Sequence, residues 1–322
     1  MVRMRRGAWA AALLAVTMAG SLMTGCTAGD GSGGRATDDG RAPSDSGSGR
    51  SNVGSVLAVK IDNAPAARPQ TGLDAADVVY AEQVEGGLSR LMAVFASTLP
   101  KAIGPVRSAR ESDLELLRQF DEPTLAFSGA QRKLLPLIDD APLHAQLPGN
   151  VSGAWYRGSG KAAPHNLYLR PQQLVDSAPG DAALTTGFRF GAAPEGGTPE
   201  ASRTVRFPSA RFTFTWSAER KRWLVAMDGT PTVTTDGASV APATVVVQHV
   251  KVRRSRYHDV LGNNSPYTES VGSGTAQVLR DGRAFDAHWT RSGAEDGTRF
   301  TTTDGAPMNF ARGQVWVVFA KE

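Results

Sequence analysis

The pattern of apolar and polar positions divides the chain into an apolar leader, a polar stretch and a long folded part. An apolar run occupies residues 8–18, after a region with three arginines. Residues 27–54 contain almost no large apolar side chain, so this stretch buries too little surface to fold. Beyond it, short apolar runs alternate with Gly, Pro and Asp turns, which indicates a folded region.

The first folded half mixes strand and helix patterns. Ser108 and Glu111 have the spacing of a capping box, and leucines at helical spacing follow them. Pro171 suits the first turn of a short helix. The predicted strands are residues 56–61, 76–80, 88–95 and 124–127. The predicted helices are residues 109–120, 130–138 and 172–176.

The second folded half is predominantly β. Residues 212–216 alternate between apolar and polar, a charged turn follows at 219–222, and 223–227 returns, which predicts a hairpin. Its aromatic residues are predicted to form a core, or a glycan-binding surface if two of them are exposed. Further strands are predicted at residues 244–252, 276–279, 284–290 and 314–319.

About 265 residues follow the polar stretch, which is long for one compact domain and sufficient for two. Gly, Ala, Pro and Glu crowd together at residues 191–202 and predict a boundary. The expected fold class is therefore α+β. A mixed α/β N-terminal domain at residues 55–195 is followed by a smaller, predominantly β domain at residues 203–322.

The leader predicts export and lipid attachment. Residues 1–25 are basic, then apolar, and end in Leu-Met-Thr-Gly before Cys26, which resembles a bacterial lipobox. Cys26 is the only cysteine, so no intramolecular disulfide is possible and its thiol is interpreted as the site of acylation, for example with palmitate. An uncleaved membrane helix and ordinary secretion are the alternatives, although the apolar run is short for a span. Residues 26–54 are then a flexible tether.

Net charge gives no sign of nucleic-acid binding. The formal charge of the chain is +4. Arg3, Arg5 and Arg6 supply three of these charges and the leader has no acidic residue, which leaves about +1 on the mature chain. An excess of basic residues is the usual footprint of a nucleic-acid binder, so that class is excluded.

Several strings resemble those of the YerB-type lipoprotein family. The specific strings are residues 60–63 (Lys-Ile-Asp-Asn), 67–70, 72–73, 76–77, 84–87 with Arg90, 103–110 and 164–166 (Pro-His-Asn). Residues 280–282, 289–291 and 313–316 match more loosely, and Leu88-Ser89 stands where a β-branched pair is usual. The resemblance covers most of residues 55–320. It implies a cell-envelope lipoprotein with N- and C-terminal domains of unknown function (3048) and no established reaction.

Residues 60–113 hold the densest group of charged side chains. Arginines near a helix N-terminus can bind a phosphate or carboxylate with bidentate hydrogen bonds, so an anion pocket is predicted there. The alternative is a structural network in which Arg90, Arg107 and Arg110 pair with Glu82, Glu85 and Asp113. The predicted ligand-binding residues are Lys60, Asp62, Arg68, Glu85, Arg90, Arg107, Arg110, His165 and Asn166.

Enzyme motifs are not found in the sequence. It lacks the usual nucleophile-elbow, Ser-x-x-Lys, zinc-protease and phosphate-loop motifs, and its five histidines have no short ligand spacing. No metal and no cofactor are therefore expected. His165 is the exception, because it forms an acid/base pair if the fold brings it to Asp62 or Glu85. The basic string at residues 253–256 is interpreted as a solvated loop that grazes anionic lipid or wall polymer.

The sequence thus predicts a membrane-anchored protein on the outer face of the cytoplasmic membrane. It is expected to be a binding or scaffold module for an anionic cell-envelope ligand, such as a cell-wall polymer, or for a wall-synthesis protein. The alternative is a wall-modifying hydrolase that uses a carboxylate with His165.

Overall fold

The computed structural model describes residues 54–259 and 262–322. The predicted leader, Cys26 and the predicted tether up to residue 53 lie outside the described residues. Within the described part, no helix has the length and apolar character that a membrane span requires.

Strands dominate both halves. The first half contains β1 (Leu57–Asp62), β2 (Val78–Gln83), β3 (Ser89–Phe95), β4 (Thr124–Ala126), β5 (His144–Gln146), β6 (Trp155–Arg157) and β7 (Leu167–Leu169). Its helices are α1 (Glu111–Leu117), α2 (Leu135–Asp139) and the short 3-10 helices Pro65–Ala67, Leu73–Ala75, Glu85–Gly87, Pro171–Gln173 and Asp181–Ala183.

The remaining strands follow from residue 198 onwards. They are β8 (Thr198–Pro199), β9 (Ser202–Phe207), β10 (Ala210–Ser217), β11 (Arg222–Met227), β12 (Thr230–Pro231), β13 (Thr244–Val250), β14 (Val252–His258), β15 (Asn264–Thr268), β16 (Gly272–Arg280), β17 (Arg283–Arg291), β18 (Arg299–Thr302) and β19 (Val315–Lys321).

One large sheet contains strands of both halves. Its order is β18-β17-β16-β13-β19-β2-β3-β1-β4-β5, with β8 paired to β17. The C-terminal strand β19 runs parallel to both of its neighbours, β13 and β2. The two predicted domains are therefore joined by main-chain hydrogen bonds through the middle of this main sheet.

Each face of the main sheet is covered by a different layer. A four-stranded sheet of order β12-β11-β10-β9 packs on one face, where Phe212, Phe214 and Trp223 meet Trp316 in one apolar cluster. Helix α1 packs on the other face through Leu116 and Leu117. An inner strand such as β19 is an almost continuous apolar run because both of its faces are buried.

The first half contains less helix than the sequence predicts. Helix α1 ends at Leu117, not at residue 120, and begins after Arg110, whose N–H donates to Asp113 Oδ2 at 2.7 Å. The Ser108–Glu111 capping box is thus wrong: the N-cap is Arg110, and Asp113, three residues later, accepts the hydrogen bond from its N–H. The second predicted helix shortens to α2, and the third is only the 3-10 turn Pro171–Gln173. A mixed α/β N-terminal domain is not what forms; the molecule is mostly β.

The strands predicted for the second half agree better with the structure than the helices predicted for the first half. The predicted hairpin forms as β10 and β11, in which Trp216 lies opposite Trp223. The predicted strand at residues 244–252 breaks at Lys251 into β13 and β14, which belong to different sheets. The basic string at 253–256 therefore lies in strand β14 and not in a loop.

Candidate functional site

Several charged residues of the first half meet where β1 and β2 end and β3 begins. The register places Arg90 of β3 opposite both Asp62 of β1 and Glu82 of β2. Paired residues of neighbouring strands project to the same face of a sheet, so these three side chains form one row. Helix α1 covers this face, and we call the surrounding group of charged side chains the charged cluster.

Its innermost part is a buried triad of Lys60, Glu82 and Asp113. The Lys60 side chain is fully buried, and its Nζ contacts Glu82 Oε1 and lies 2.7 Å from Asp113 Oδ1. Ser112 Oγ donates to the other Glu82 oxygen at 2.9 Å. Burial raises the pKa of Glu82 to about 7, opposed by the charge of Lys60 and assisted by that of Asp113. Removing a charge from water is costly unless it is paired, so the triad is a structural unit.

A second ion pair joins Glu85 to Arg110. Arg110 Nε and one terminal nitrogen each lie 2.7 Å from a Glu85 oxygen, which is the bidentate arrangement. The hydroxyl of Ser265, from the distant strand β15, also donates to Glu85. Burial acts to raise the pKa of Glu85, but the hydrogen bonds and charge of Arg110 outweigh it and the pKa is lowered. Glu85 is therefore held as an ionised structural partner.

The outer part consists of Asp62, Arg107 and His165, which we call the rim group. His165 Nδ1 lies 2.8 Å from Asp62 Oδ2, and Arg107 Nε lies 3.5 Å from the same oxygen. The Ala64 N–H donates to Asp62 Oδ1 at 3.1 Å. The exposed fraction is 4 % for the Asp62 side chain, 23 % for His165 and 27 % for Arg107. A ligand can therefore reach the arginine and the histidine, while the carboxylate stays behind them.

Arg90 lies between the rim group and the Glu85–Arg110 pair. It donates one hydrogen bond, to the carbonyl oxygen of Ser108 at 3.1 Å. Burial lowers the pKa of Arg90 to about 10, and the nearby charges of Arg110 and Arg107 contribute. No carboxylate of the described residues forms an ion pair with it. Arg107 and Arg90 thus bring two positive charges to the single carboxylate of Asp62.

Arg68 and Asn166, two of the predicted ligand-binding residues, form hydrogen bonds within loops and do not contact the rim group. Arg68 Nη1 pairs with Asp228 at 2.8 Å and its Nη2 donates to Asn63 O at 2.8 Å. Asn166 accepts a hydrogen bond from Arg157 at 2.7 Å and donates to the carbonyl oxygen of Lys161, which shapes the loop before His165. Both residues support the backbone around the charged cluster.

Sequence reasoning missed some of the partners. Asn63 Nδ2 donates to Ser89 Oγ at 2.9 Å, and Gln70 Nε2 donates to Asn63 Oδ1 at 2.9 Å, both buried beside Asp62. The Lys-Ile-Asp-Asn string was a signal for Asn63, but nothing local points to Ser265. In the part of the chain that the structure covers, no group of three or more His, Cys, Asp or Glu side chains is arranged to hold a metal ion.

Comparison with known proteins agrees with this architecture. Residues 45–184 match the N-terminal domain, and residues 203–317 the C-terminal domain, of a protein family of unknown function (DUF3048). The chain belongs to this family. The charged cluster lies in the N-terminal match, except for Ser265, which the C-terminal match supplies.

A sequence relative and a solved structure are similar to this protein along most of the chain. "Putative lipoprotein YerB" of Bacillus subtilis (strain 168) is 25% identical over 278 residues, which are 81% of this chain and 80% of that protein. The crystal structure of the YerB protein from Bacillus subtilis matches with a TM-score of 0.67 at 22% identity, and covers 82% of this chain and 90% of that one. The structural likeness shows the fold, and the sequence relative is a lipoprotein by name.

Proposed function

We propose that this protein is a lipid-anchored extracytoplasmic binding module whose rim group, with Arg90, binds an anionic ligand of the cell envelope. Candidate ligands are wall-peptide carboxylates, polymer phosphates and the acidic surface of a wall-synthesis protein. The observation that carries the proposal is the unpaired Arg90 guanidinium behind a partly exposed Arg107. A half-buried guanidinium without a direct ion-pair partner is poorly solvated, and a bound carboxylate or phosphate offsets that cost with charge-assisted hydrogen bonds.

Binding is tested with soluble wall fragments by calorimetry, using the folded part of the chain from residue 54. We expect saturable binding and no new products by mass spectrometry. Arg107→Ala is expected to weaken the binding by about ten-fold, because one charge-assisted contact is lost. Arg107→Lys keeps the charge but not the fork, so its effect is smaller. Arg220→Ala, at an exposed turn, is the matched control. Equal affinity of the Arg107→Ala and Arg220→Ala proteins would refute the proposal.

The anchoring is tested separately at Cys26. Cys26→Ser removes the only thiol of the chain, so the protein is expected in the medium or as an unprocessed precursor. Membrane fractionation and the mass of the mature N-terminus measure this. A Cys26→Ser protein that stays in the membrane fraction with its leader trimmed at the same residue would contradict lipid attachment.

A wall-modifying hydrolase is the second candidate, favoured by the contact between Asp62 and His165. A carboxylate on Nδ1 leaves Nε2 as the free nitrogen that can take a proton from water. Turnover of wall fragments that disappears in His165→Ala and drops in Asp62→Asn would establish this activity and displace the pure binding role. Glu85→Gln is expected to lower stability and to leave any turnover intact, because Arg110 and Ser265 already occupy that carboxylate.

A further inference from the structure

Strand β9 is a free edge of the four-stranded sheet. It spans Ser202–Phe207, and the order β12-β11-β10-β9 leaves one side of it unpaired. The opposite edge, β12, has only two residues and includes Pro231. A strand of six residues without proline, unpaired on one side, is the kind of edge to which another chain can add.

The register identifies the backbone groups at this edge. Trp216 N–H donates to Ala201 O at 2.9 Å, so these opposed residues form a hydrogen-bonded pair. Hydrogen-bonded and non-bonded pairs alternate along an antiparallel ladder, so Arg203, Val205 and Phe207 bond to β10. The N–H and C=O groups of Ser202, Thr204 and Arg206 then point away from β10, and no described backbone group pairs with them.

A groove of about 460 Å³ runs beside this edge. Its wall is β9, and its floor is the face of the main sheet that the four-stranded sheet leaves uncovered. The floor residues are Gln83 of β2, Ala320 of β19, Val247 and His249 of β13 and Gln277 of β16. A strand added to β9 would lie over this floor, so every second side chain would contact a mixture of apolar and amide groups.

The groove is basic. Arg203, Arg206 and Lys321 line it, and no acidic residue is among its lining residues in the described part of the chain. Arg203 pairs with Glu200, whereas Arg206 and Lys321 are exposed and have no acidic partner there. A second copy of β9 would add two more arginines to a groove that is already basic, which opposes self-pairing. An acidic strand has the complementary charge.

We propose that β9 is a strand-addition site for an extended, acidic peptide segment of a partner protein. The outward N–H and C=O groups of Ser202, Thr204 and Arg206 supply the main-chain hydrogen bonds. Every second side chain of the added peptide contacts the groove, which gives the specificity. This site involves no residue of the rim group, so the strand-addition proposal does not depend on the proposed anion binding.

Amide hydrogen exchange is the direct test. The full chain in detergent is mixed with a short capped peptide of alternating Val and Glu, and its counterpart with Lys in place of Glu is the control. The acidic peptide is expected to slow exchange of the Thr204 and Arg206 amides, which β10 does not protect. Those of Arg203 and Val205, already bonded, should change little. Binding of the acidic peptide without protection at Thr204 and Arg206 would overturn strand addition.

Thr204→Pro and Thr204→Val form a matched pair for the main-chain contact. Both remove the threonine hydroxyl, but only proline removes the outward N–H, and proline is tolerated on an edge strand at such a position. Fluorescence anisotropy with the labelled acidic peptide is expected to show about ten-fold weaker binding for Thr204→Pro than for Thr204→Val. Equal affinities of the two variants, with circular dichroism unchanged, would refute the proposal.

The charge contribution is tested with Arg206→Glu against Arg220→Glu. Both changes alter the net charge equally, and only Arg206 lines the groove. Arg206→Glu is expected to weaken binding of the acidic peptide and to strengthen binding of the lysine peptide. Both effects should be larger at low salt. Identical effects of the two variants would mean that net charge alone attracts the peptide, and would exclude a specific acidic partner.

Discussion

At Lys60 a positive charge lies where no water reaches it, and two carboxylates from different elements contact it. Glu82 comes from the neighbouring strand and Asp113 from the helix above the sheet. Since α1 brings Asp113 to Lys60, the triad fixes the helix on the main sheet. In the rim group His165 and Arg107 are partly exposed, and the neighbouring Arg90 has no ion-pair partner among the described residues. Adjacent charges therefore have separate roles: the inner ones support the fold and the outer ones are available to a ligand.

Lys60→Met is expected to destabilise the protein strongly. The methionine keeps the apolar stem but leaves Glu82 and Asp113 buried together without a cation. Breaking a buried pair in this way costs about 3–5 kcal/mol of unfolding free energy. Urea denaturation measures it, with the exposed Lys101→Met as control, for which we expect a change within about 0.5 kcal/mol. A Lys60→Met protein as stable as Lys101→Met would show that the carboxylates are not held by the lysine.

Glu82 makes stability depend on pH near neutrality. Because burial raises its pKa from 4.5 to about 7, the folded protein holds a proton that the unfolded chain releases. The stabilisation from this proton is complete at pH values below 4.5, the pKa of the unfolded chain, and it is lost as the pH rises through about 7. The unfolding free energy of the wild type should thus fall between about pH 5 and about pH 8. In Glu82→Gln the fall should be smaller, and in the exposed Glu219→Gln unchanged. If the unfolding free energy of Glu82→Gln fell more steeply with pH than that of the wild type, the pKa of Glu82 would be lowered by folding and not raised.

At the scale of elements, helix α1 also holds the β14–β15 hairpin. Ser255 Oγ donates to Glu111 at 2.6 Å, and the Tyr267 hydroxyl donates to Glu115 at 2.8 Å. The N–H and hydroxyl of Ser270 bond to the other Glu115 oxygen at 2.9 and 3.0 Å. Burial and the Glu115 charge together raise the pKa of Tyr267. A short helix therefore organises both the charged cluster and a segment from the second half.

Glu115→Ala is expected to loosen this hairpin selectively. The change leaves the Tyr267 hydroxyl and the Ser270 donors without their acceptor, at a cost of about 1–3 kcal/mol. Hydrogen exchange should accelerate for residues 264–271 and stay unchanged in the strands around Trp316. The exposed Glu219→Ala is the control. Uniform acceleration across the main sheet in Glu115→Ala would mean that the contact supports the whole fold and not the hairpin.

Elements were predictable to different degrees. The hairpin of β10 and β11 and the strands β1 and β19 follow local patterns, and the structure contains them. Helix α1 was predicted three residues too long at its C-terminal end, because the pattern Leu114, Leu117, Phe120 continues after the backbone has turned. Packing of Phe120 under the sheet satisfies that pattern without helix. Short strands such as β5 have no alternation to reveal them and form only because β4 lies beside them.

At the scale of the molecule, β19 connects the two halves by lying between β13 and β2. Trp316 lies opposite Val245 on one side and Val79 on the other. Removing either half exposes an apolar, unpaired strand in the middle of the main sheet. The two matched regions of the family are thus distinguishable in sequence but share a hydrogen-bonded core.

The two halves are therefore expected not to fold separately. Residues 54–195 and 203–322, produced alone, should lack a cooperative unfolding transition and tend to aggregate through the exposed edges of β2 and β19. Mixed or co-expressed, they should recover one transition. Circular dichroism during thermal unfolding measures this, with the uncut chain as reference. A sharp transition for either isolated half would instead establish it as an independent domain.

Patterns within the sequence are enough to predict the family, the apolar alternation of several strands and the concentration of charge in residues 60–113. These are properties of neighbouring residues, and local periodicity encodes them. The partners of these charged side chains emerge only in the folded chain: Asp62 contacts His165, 103 positions away, and Glu85 accepts a hydrogen bond from Ser265, 180 positions away. Such contacts depend on strand order and register, and above all on β19 joining the two halves. No local pattern specifies these, because they follow from the packing of the whole chain.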